Sequence, residues 1–240
     1  METVEEKIAL VNSIIKETVE AAGRDPANVA LVAVTKTHTP ETIHQAIDAG
    51  QLLFGENRVQ EARAKIPLLP SKARWHLVGH LQKNKIRQAL PLFELLHGVD
   101  SLELARDINR IAAELGLFPK ILLEVNVAEE STKFGFKPAD VERDMEQLLA
   151  LDRLQIEGLM TIAPIVEKAD EARKYFAALR ELRDELQKSA GIPLPQLSMG
   201  MSGDFIAAIQ EGATMVRVGT AIFGPRSSRN LRSAGTFSSE

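Results

Sequence analysis

Ala30-Leu31-Val32-Ala33-Val34-Thr35-Lys36 is the stretch that decides the fold. Its β-branched and small apolar residues lie between Pro26 and the Thr39-Pro40 pair, and they spell a buried β-strand. The strand ends on a lysine. An amine in that position has a stem held by the strand and a head only partly in water. Burial and neighbouring cations lower the pKa of such an amine, and the neutral form attacks a carbonyl carbon to give a Schiff base. Lys36 is therefore the first candidate residue, as the anchor of an aldehyde cofactor. A strand-end lysine can equally snorkel into water and do no chemistry, so the rest of the chain has to decide.

Outward from that strand the pattern repeats. Strand-like segments fall at 30–36, 52–55, 74–79, 92–99, 120–127, 154–163, 196–198 and 214–218. Helical periodicity fills 40–49, 56–69, 81–90, 101–115, 138–149, 168–190 and 203–211. Strand then helix, with short connections, predicts a parallel sheet with helical crossovers. Eight such strands predict an α/β protein folded as a closed (β/α)8 TIM barrel; an open doubly wound sheet is the competing arrangement. Ahead of the first strand, Val4, Ile8, Val11, Ile15 and Val19 recur at three- and four-residue steps. They predict an extra N-terminal amphipathic helix, stopped by Gly23 and Pro26. No stretch reads as a linker. A single domain is expected over residues 1–226, followed by a disordered tail at 227–240 that is rich in Ser, Arg and Gly.

Composition narrows the function. A length of 240 residues suits one barrel. The net charge of −4 argues against a general nucleic-acid binder. The basic run Gln82-Lys83-Asn84-Lys85-Ile86-Arg87 lacks the aromatics that would stack on bases. The absence of cysteine removes disulfides, thiol catalysis and thiolate metal sites, and it fits a cytoplasmic setting. The histidines lack metal-ligand spacing, so no metal is expected. The acidic start is unlike a secretory leader, and no apolar run is long enough for a bilayer. No Ser-His-Asp order or glycine-serine elbow is present.

Chemistry in such barrels gathers at the C-terminal strand ends. Polar residues and glycines mark those ends here: Lys36, Glu56-Asn57-Arg58, Gly79-His80, Asp100-Ser101, Asn126, Thr161, Ser198-Met199-Gly200-Met201-Ser202-Gly203 and Gly219-Thr220. The loops after strands seven and eight are where these barrels usually bind phosphate. Their glycines let backbone N–H groups approach a phosphate, and their hydroxyls donate to it. Ordinary turns with a serine cap would look similar. Arg217 sits between Val216 and Val218, so alternation turns it to the barrel interior. There it needs an acceptor. A carboxylate such as Glu124 or Glu157 would serve, and so would a ligand ring nitrogen or anion. His80, at a strand end, can hydrogen-bond a ligand or simply be a satisfied core histidine.

Several motifs together carry a resemblance. They are Ala33-Val34-Thr35-Lys36, Phe54-Gly55-Glu56-Asn57-Arg58-Val59-Gln60-Glu61, residues 75–85 from Trp75 to Lys85, Gly158-Leu159-Met160-Thr161-Ile162-Ala163, residues 197–204 around Ser198-Met199-Gly200, and Val216-Arg217-Val218-Gly219-Thr220 with the residues to Gly224. In this order they resemble the pyridoxal phosphate homeostasis family, whose fold is that of the alanine racemase N-terminal barrel. The resemblance implies pyridoxal 5'-phosphate (PLP) as cofactor, joined to Lys36 as a Schiff base. Ser202, Gly219 and Thr220 would hold its phosphate, with backbone groups of Met199 and Gly200. Arg217 would face the pyridine nitrogen, and Asn57 and His80 would line the ring and its hydroxyl side.

The resemblance also implies what the protein does. A cation facing the ring nitrogen disfavours its protonation, and the unprotonated ring is a poorer electron sink. Racemases of this fold add an acid/base residue on the other cofactor face from a second domain. The one tyrosine here, Tyr175, falls in a helical pattern away from every strand end. The expected function is therefore intracellular PLP and amino-acid homeostasis, with little or no turnover and no catalytic residue. The protein would be a cytoplasmic monomer whose partner is PLP, with neither nucleic acid nor membrane. A low-activity PLP-dependent amino-acid racemase is the alternative, and a cofactor-free Schiff-base aldolase using Lys36 is a third possibility.

Overall fold

Thr3 starts the first helix. Its Oγ1 accepts from the Glu6 N–H at 3.1 Å, and the Glu6 carboxylate accepts from the Thr3 N–H at 2.7 Å. This reciprocal cap satisfies two donors that a helix start otherwise leaves bare. The structure, a computed structural model, describes residues 2–224. Helix α1 (Val4–Ala21) buries Ile8, Val11, Ile15 and Val19, the stripe read from the sequence. It packs against three of the helices given below, those that follow the first strand and flank the last. Arg24 fixes the chain there by donating to the carbonyls of Ile209 and Ala213, each at 2.8 Å.

Eight strands follow: β1 (Ala30–Val34), β2 (Leu53–Glu56), β3 (Arg74–Leu77), β4 (Leu95–Val99), β5 (Lys120–Glu124), β6 (Gln155–Met160), β7 (Gln196–Met201) and β8 (Met215–Val218). Each pairs in parallel with its chain neighbour, and β8 returns to β1 with Val32 opposite Arg217. The sheet is therefore a closed (β/α)8 barrel, and the open sheet is excluded. The crossovers are α2 (Pro40–Asp48), α3 (Val59–Lys65), α4 (Ile86–Ala89), α5 (Leu102–Leu115), α6 (Pro138–Leu149), α7 (Arg173–Ala190) and α8 (Phe205–Gln210). A last short helix, α9 (Thr220–Phe223), follows β8 and has no counterpart in the sequence reading. The expected boundary at 226 and the tail at 227–240 lie outside the described residues. Among the described residues no helix is long and apolar enough to cross a membrane.

The period of two along each strand divides the core. Leu31 and Ala33 face the helices, while Val32 and Val34 face inward with Leu53, Leu95, Leu122, Met160 and Met215. The same rule sends Val216 and Val218 outward, and Arg217 inward as expected. Several strands stop before their expected spans do. β1 ends at Val34, β3 at Leu77, β5 at Glu124 and β6 at Met160. The residues beyond them build the C-terminal rim. β7 instead runs on to Met201, and its register with β8 shifts between Ser198 and Met201. Gly200 permits that shift. It has φ +91°, and a Cβ there would lie 2.6 Å from the Ala208 Cβ.

Gly158 is the tightest point of the sheet. It pairs with Gln196 of β7, and an added Cβ would overlap the Gln196 carbonyl. Gly158→Ala must push two barrel strands apart. The expected cost is about 2–4 kcal/mol, read as a lower urea midpoint at unchanged slope. An unchanged midpoint would contradict this packing.

Candidate functional site

Lys36 lies two residues beyond β1, on a segment pinned from both sides. Before it, the Thr35 N–H donates to Gly55 O at 3.0 Å, and Thr35 Oγ1 donates to Glu56 Oε1 at 2.7 Å. After it, Thr37 adopts φ +67°, uncommon for a β-branched residue, and its N–H donates to Glu61 Oε2 at 3.0 Å. Lys65 ties the two halves together. Its Nζ reaches Thr35 O (3.0 Å), Glu56 Oε1 (2.8 Å) and Glu61 Oε2 (3.1 Å). Burial raises the Glu56 carboxyl pKa, against the pull of Lys65, and Glu56 Oε2 is buried without a hydrogen-bond partner. The backbone carrying Lys36 is thus fixed by an ionic cluster beneath the rim.

Lys36 opens into a cavity of about 460 Å³ at the C-terminal mouth of the barrel. Asn57 and His80 enter it together because Gly79 backs directly onto the Asn57 main chain, leaving no space for a Cβ. His80 Nδ1 lies 2.9 Å from Asp100 Oδ2, and its ring stacks on Phe134 with centroids 4.1 Å apart. Val34, Val78, Ile162 and Phe134 supply apolar wall. Across the mouth, Ser202 Oγ accepts from the N–H groups of Gly219 (3.2 Å) and Ala221 (3.4 Å). Gly203, whose Cβ position faces open space, and Thr220 complete that side. Converging backbone donors and a hydroxyl make a cradle for an anionic oxygen.

Arg217 forms the floor. It is 4 % exposed, donates through Nη1 to Ser198 Oγ at 2.6 Å and through Nη2 to Thr161 O at 2.8 Å. Burial brings its pKa down to about 10, so it remains a cation at neutral pH. Glu124 shares the cavity. Burial first and the nearby Asp100 second push its carboxyl up to about 7, against the favourable field of Arg217. Glu157, the other carboxylate considered for Arg217, instead meets Lys120 at 3.4 Å.

Of the nine residues singled out from the sequence, seven meet at this cavity: Lys36, Asn57, His80, Ser202, Arg217, Gly219 and Thr220. Met199 and Gly200 do not reach its wall. Ser198 takes the inward position of β7, so Met199 turns out into the helix-facing core, and Gly200 abuts Phe205 and Ala208. Met201 and Gly203 do line it, while the expected backbone role of Met199 and Gly200 does not depend on side-chain direction. The sequence reading also missed Glu124 and Phe134 as wall residues. For Glu124 the signal was obscured because β5 stops there rather than at Val127. Tyr175 lies on α7, partly buried against the core, with Lys174 over its ring. Among the described residues no group of three or more His, Cys, Asp or Glu is arranged to hold a metal.

The family described as alanine racemase, N-terminal domain, matches residues 14–227. The pyridoxal phosphate homeostasis protein of Aquifex aeolicus is 41% identical over 222 residues, spanning 92% of this chain and 97% of its own. PipY of Synechococcus elongatus, solved with PLP bound, is 44% identical with a TM-score of 0.77, covering 88% of this chain and 100% of that one. Alanine racemase of Clostridium difficile, 19% identical with a TM-score of 0.70 over 90% of this chain and 56% of its own, shares the fold alone. Near-complete coverage at this identity, on the same closed barrel, places the chain in the pyridoxal phosphate homeostasis protein family.

Proposed function

We propose that this chain holds PLP in the rim cavity, with Lys36 as covalent anchor, and serves cytosolic PLP and amino-acid homeostasis with little or no turnover. One observation carries the reading: Lys36, the Ser202–Gly219 cradle and Arg217 line a single cavity. The donor set fits the cofactor. Lys36 supplies an amine, the cradle suits a phosphate, the buried guanidinium offers N–H donors to a ring acceptor, and the apolar walls suit an aromatic ring. When bound, PLP would supply an aldehyde able to condense with the Lys36 amine, with loss of water.

The chain's own residues do the rest. Ser202 Oγ, already gathering two backbone N–H groups, marks where a phosphate oxygen takes the same donors, with Thr220 beside it. Asn57 and His80 would flank the ring, His80 held by Asp100. Arg217, a cation at neutral pH, would keep a facing ring nitrogen unprotonated by like-charge repulsion. Such a ring draws electrons weakly, which supports low turnover. So does the position of Tyr175 on α7 rather than at the cavity.

Two outcomes test this. Purified protein offered PLP should develop a visible absorbance band that borohydride fixes on Lys36 by mass mapping, and Lys36→Ala should abolish the band. A label on another lysine refutes the assignment. Sustained chiral conversion of L-amino acids at ordinary enzyme rates would refute low turnover.

Glu124 gives the second test. A carboxyl whose pKa stands at about 7 instead of 4.5 binds its proton more tightly in the folded state than in the unfolded chain. Its contribution therefore favours folding below pH 4.5 and is lost as pH rises through 7. Groups that cost the ligand-free fold in this way concentrate at ligand sites. Glu124→Gln should stabilise the ligand-free protein by about 2–3 kcal/mol at high pH and by almost nothing near pH 4. Denaturant melts that show the same gap at both pH values would defeat this account.

A further inference from the structure

The barrel interior below the cavity holds four polar side chains in a row. His76 of β3, His97 of β4, Ser198 of β7 and Arg217 of β8 all take the inward position of their strands, among apolar neighbours such as Leu95, Leu122 and Met215. His76 Nδ1 lies 3.0 Å from His97 Nε2, and His97 Nδ1 lies 2.9 Å from Ser198 Oγ. Ser198 Oγ accepts from Arg217 Nη1 at 2.6 Å. His97 and Ser198 are fully buried. At its far end His76 borders a second cavity, of about 520 Å³, shared with Arg74, Glu94, Lys120 and Glu157.

We propose that Ser198, His97 and His76 form a one-way hydrogen-bonded chain that positions Arg217 and presents its guanidinium to the cavity purely as a donor. The role at the cavity rests on the PLP reading above; the chain itself does not.

Direction follows from counting donors. A guanidinium has only N–H groups, so Ser198 Oγ must accept from Arg217. The single Ser198 hydrogen then has His97 Nδ1 as its acceptor. The reverse arrangement, with His97 Nδ1–H donating to Ser198, leaves a buried hydroxyl hydrogen without a partner, which is unfavourable. His97 Nδ1 is therefore bare, and Nε2 carries the proton and donates to His76 Nδ1. His76 in turn keeps its proton on Nε2, the nitrogen not engaged by His97. Both rings must be neutral for this. Burial holds His76 down at about 4, and burial with the nearby His76 and Arg217 holds His97 well below its usual value.

The chain has a consequence at the cavity. Glu124 exerts a favourable pull on Arg217, and a guanidinium free to swing would turn toward it. Ser198 of β7 and the Thr161 carbonyl just past β6 hold two of its nitrogens instead. What remains to be satisfied at Arg217 is donor capacity, so a ligand atom above it has to be an acceptor. An unprotonated ring nitrogen fits, and a protonated one does not.

Nitrogen-15 NMR of the ligand-free protein reads the tautomers directly. Both His97 and His76 are expected as neutral rings protonated at Nε2, and an Nδ1–H form at His97 overturns the proposal. In the PLP-loaded protein, Ser198→Ala should weaken PLP binding at least fivefold and move the ring-nitrogen resonance toward the protonated range. Ser198→Thr, which keeps the hydroxyl, should return both to near wild type. A folded Ser198→Ala protein with PLP affinity within twofold of wild type and an unmoved ring nitrogen also overturns the positioning role. If Ser198→Ala does not fold, the wild-type tautomers and the Ser198→Thr protein still decide. A wild type that fails to bind PLP would refute the functional reading, whereas the tautomers, measured without ligand, would judge the chain independently.

Discussion

A guanidinium buried inside a barrel is the constraint on which the rest of the structure depends. Taking such a charge out of water costs several kcal/mol unless its hydrogens are met. Arg217 meets that demand with Ser198 Oγ and the Thr161 carbonyl, while Glu124 lies close enough to favour its charge. All three depend on strand register. Moving β7 by one residue would replace Ser198 at the interior with Leu197 or Met199, and moving β5 would replace Glu124 with Leu123. The apolar alternation and the arginine therefore select the same register, and neither could change alone. Agreement between such levels is what makes a sequence specify one fold.

The opposite side of the mouth is organised by a different device. Lys36 lies beyond the last ladder residue of β1, so the sheet alone does not hold it. The ionic cluster of Glu56, Glu61 and Lys65 does that work through the residues on either side. Glu56 is the end of β2, and Lys65 is the end of α3, so the cluster joins a strand to the helix that follows it. An amine expected to attack a carbonyl benefits from such fixing, because each rotation frozen in the fold need not be frozen on binding.

Much of this was legible in the sequence, for reasons that particular residues show. The eight strands were readable because inward and outward positions are both apolar at Val32, Ala33 and Val34, and at Ile121, Leu122 and Leu123, with turn residues after them. The inward path of Arg217 followed from two flanking valines. Closure did not follow from local pattern, since nothing in β1 or β8 alone says that they pair; it was inferred from strand number. The rim was harder. Apolar residues such as Val125 and Val78 continue the strand pattern past the last paired residue, so Glu124 read as mid-strand rather than as cavity wall. Phe134 comes from a loop whose path rests on Gly135 and on Asn126 gripping Glu130, and no periodicity reports such contacts. α9 spans a single turn, too short for a helical period to show.

Unfavourable features cluster around Lys36. Glu56 Oε2 is buried without a partner, burial pushes the Glu124 carboxyl up to about 7, and Thr37 stands at positive φ. Each costs free energy that a fold optimised for stability alone would avoid. They are not scattered. Thr37 adjoins Lys36, Glu56 holds the residue before it, and Glu124 shares its cavity. The lower half of the barrel, by contrast, accommodates two buried histidines without leaving a hydrogen-bonding nitrogen between them unmet. Among the described residues, costs of this kind gathered around Lys36 are the pattern expected when selection acts on what that rim binds rather than on the barrel that carries it.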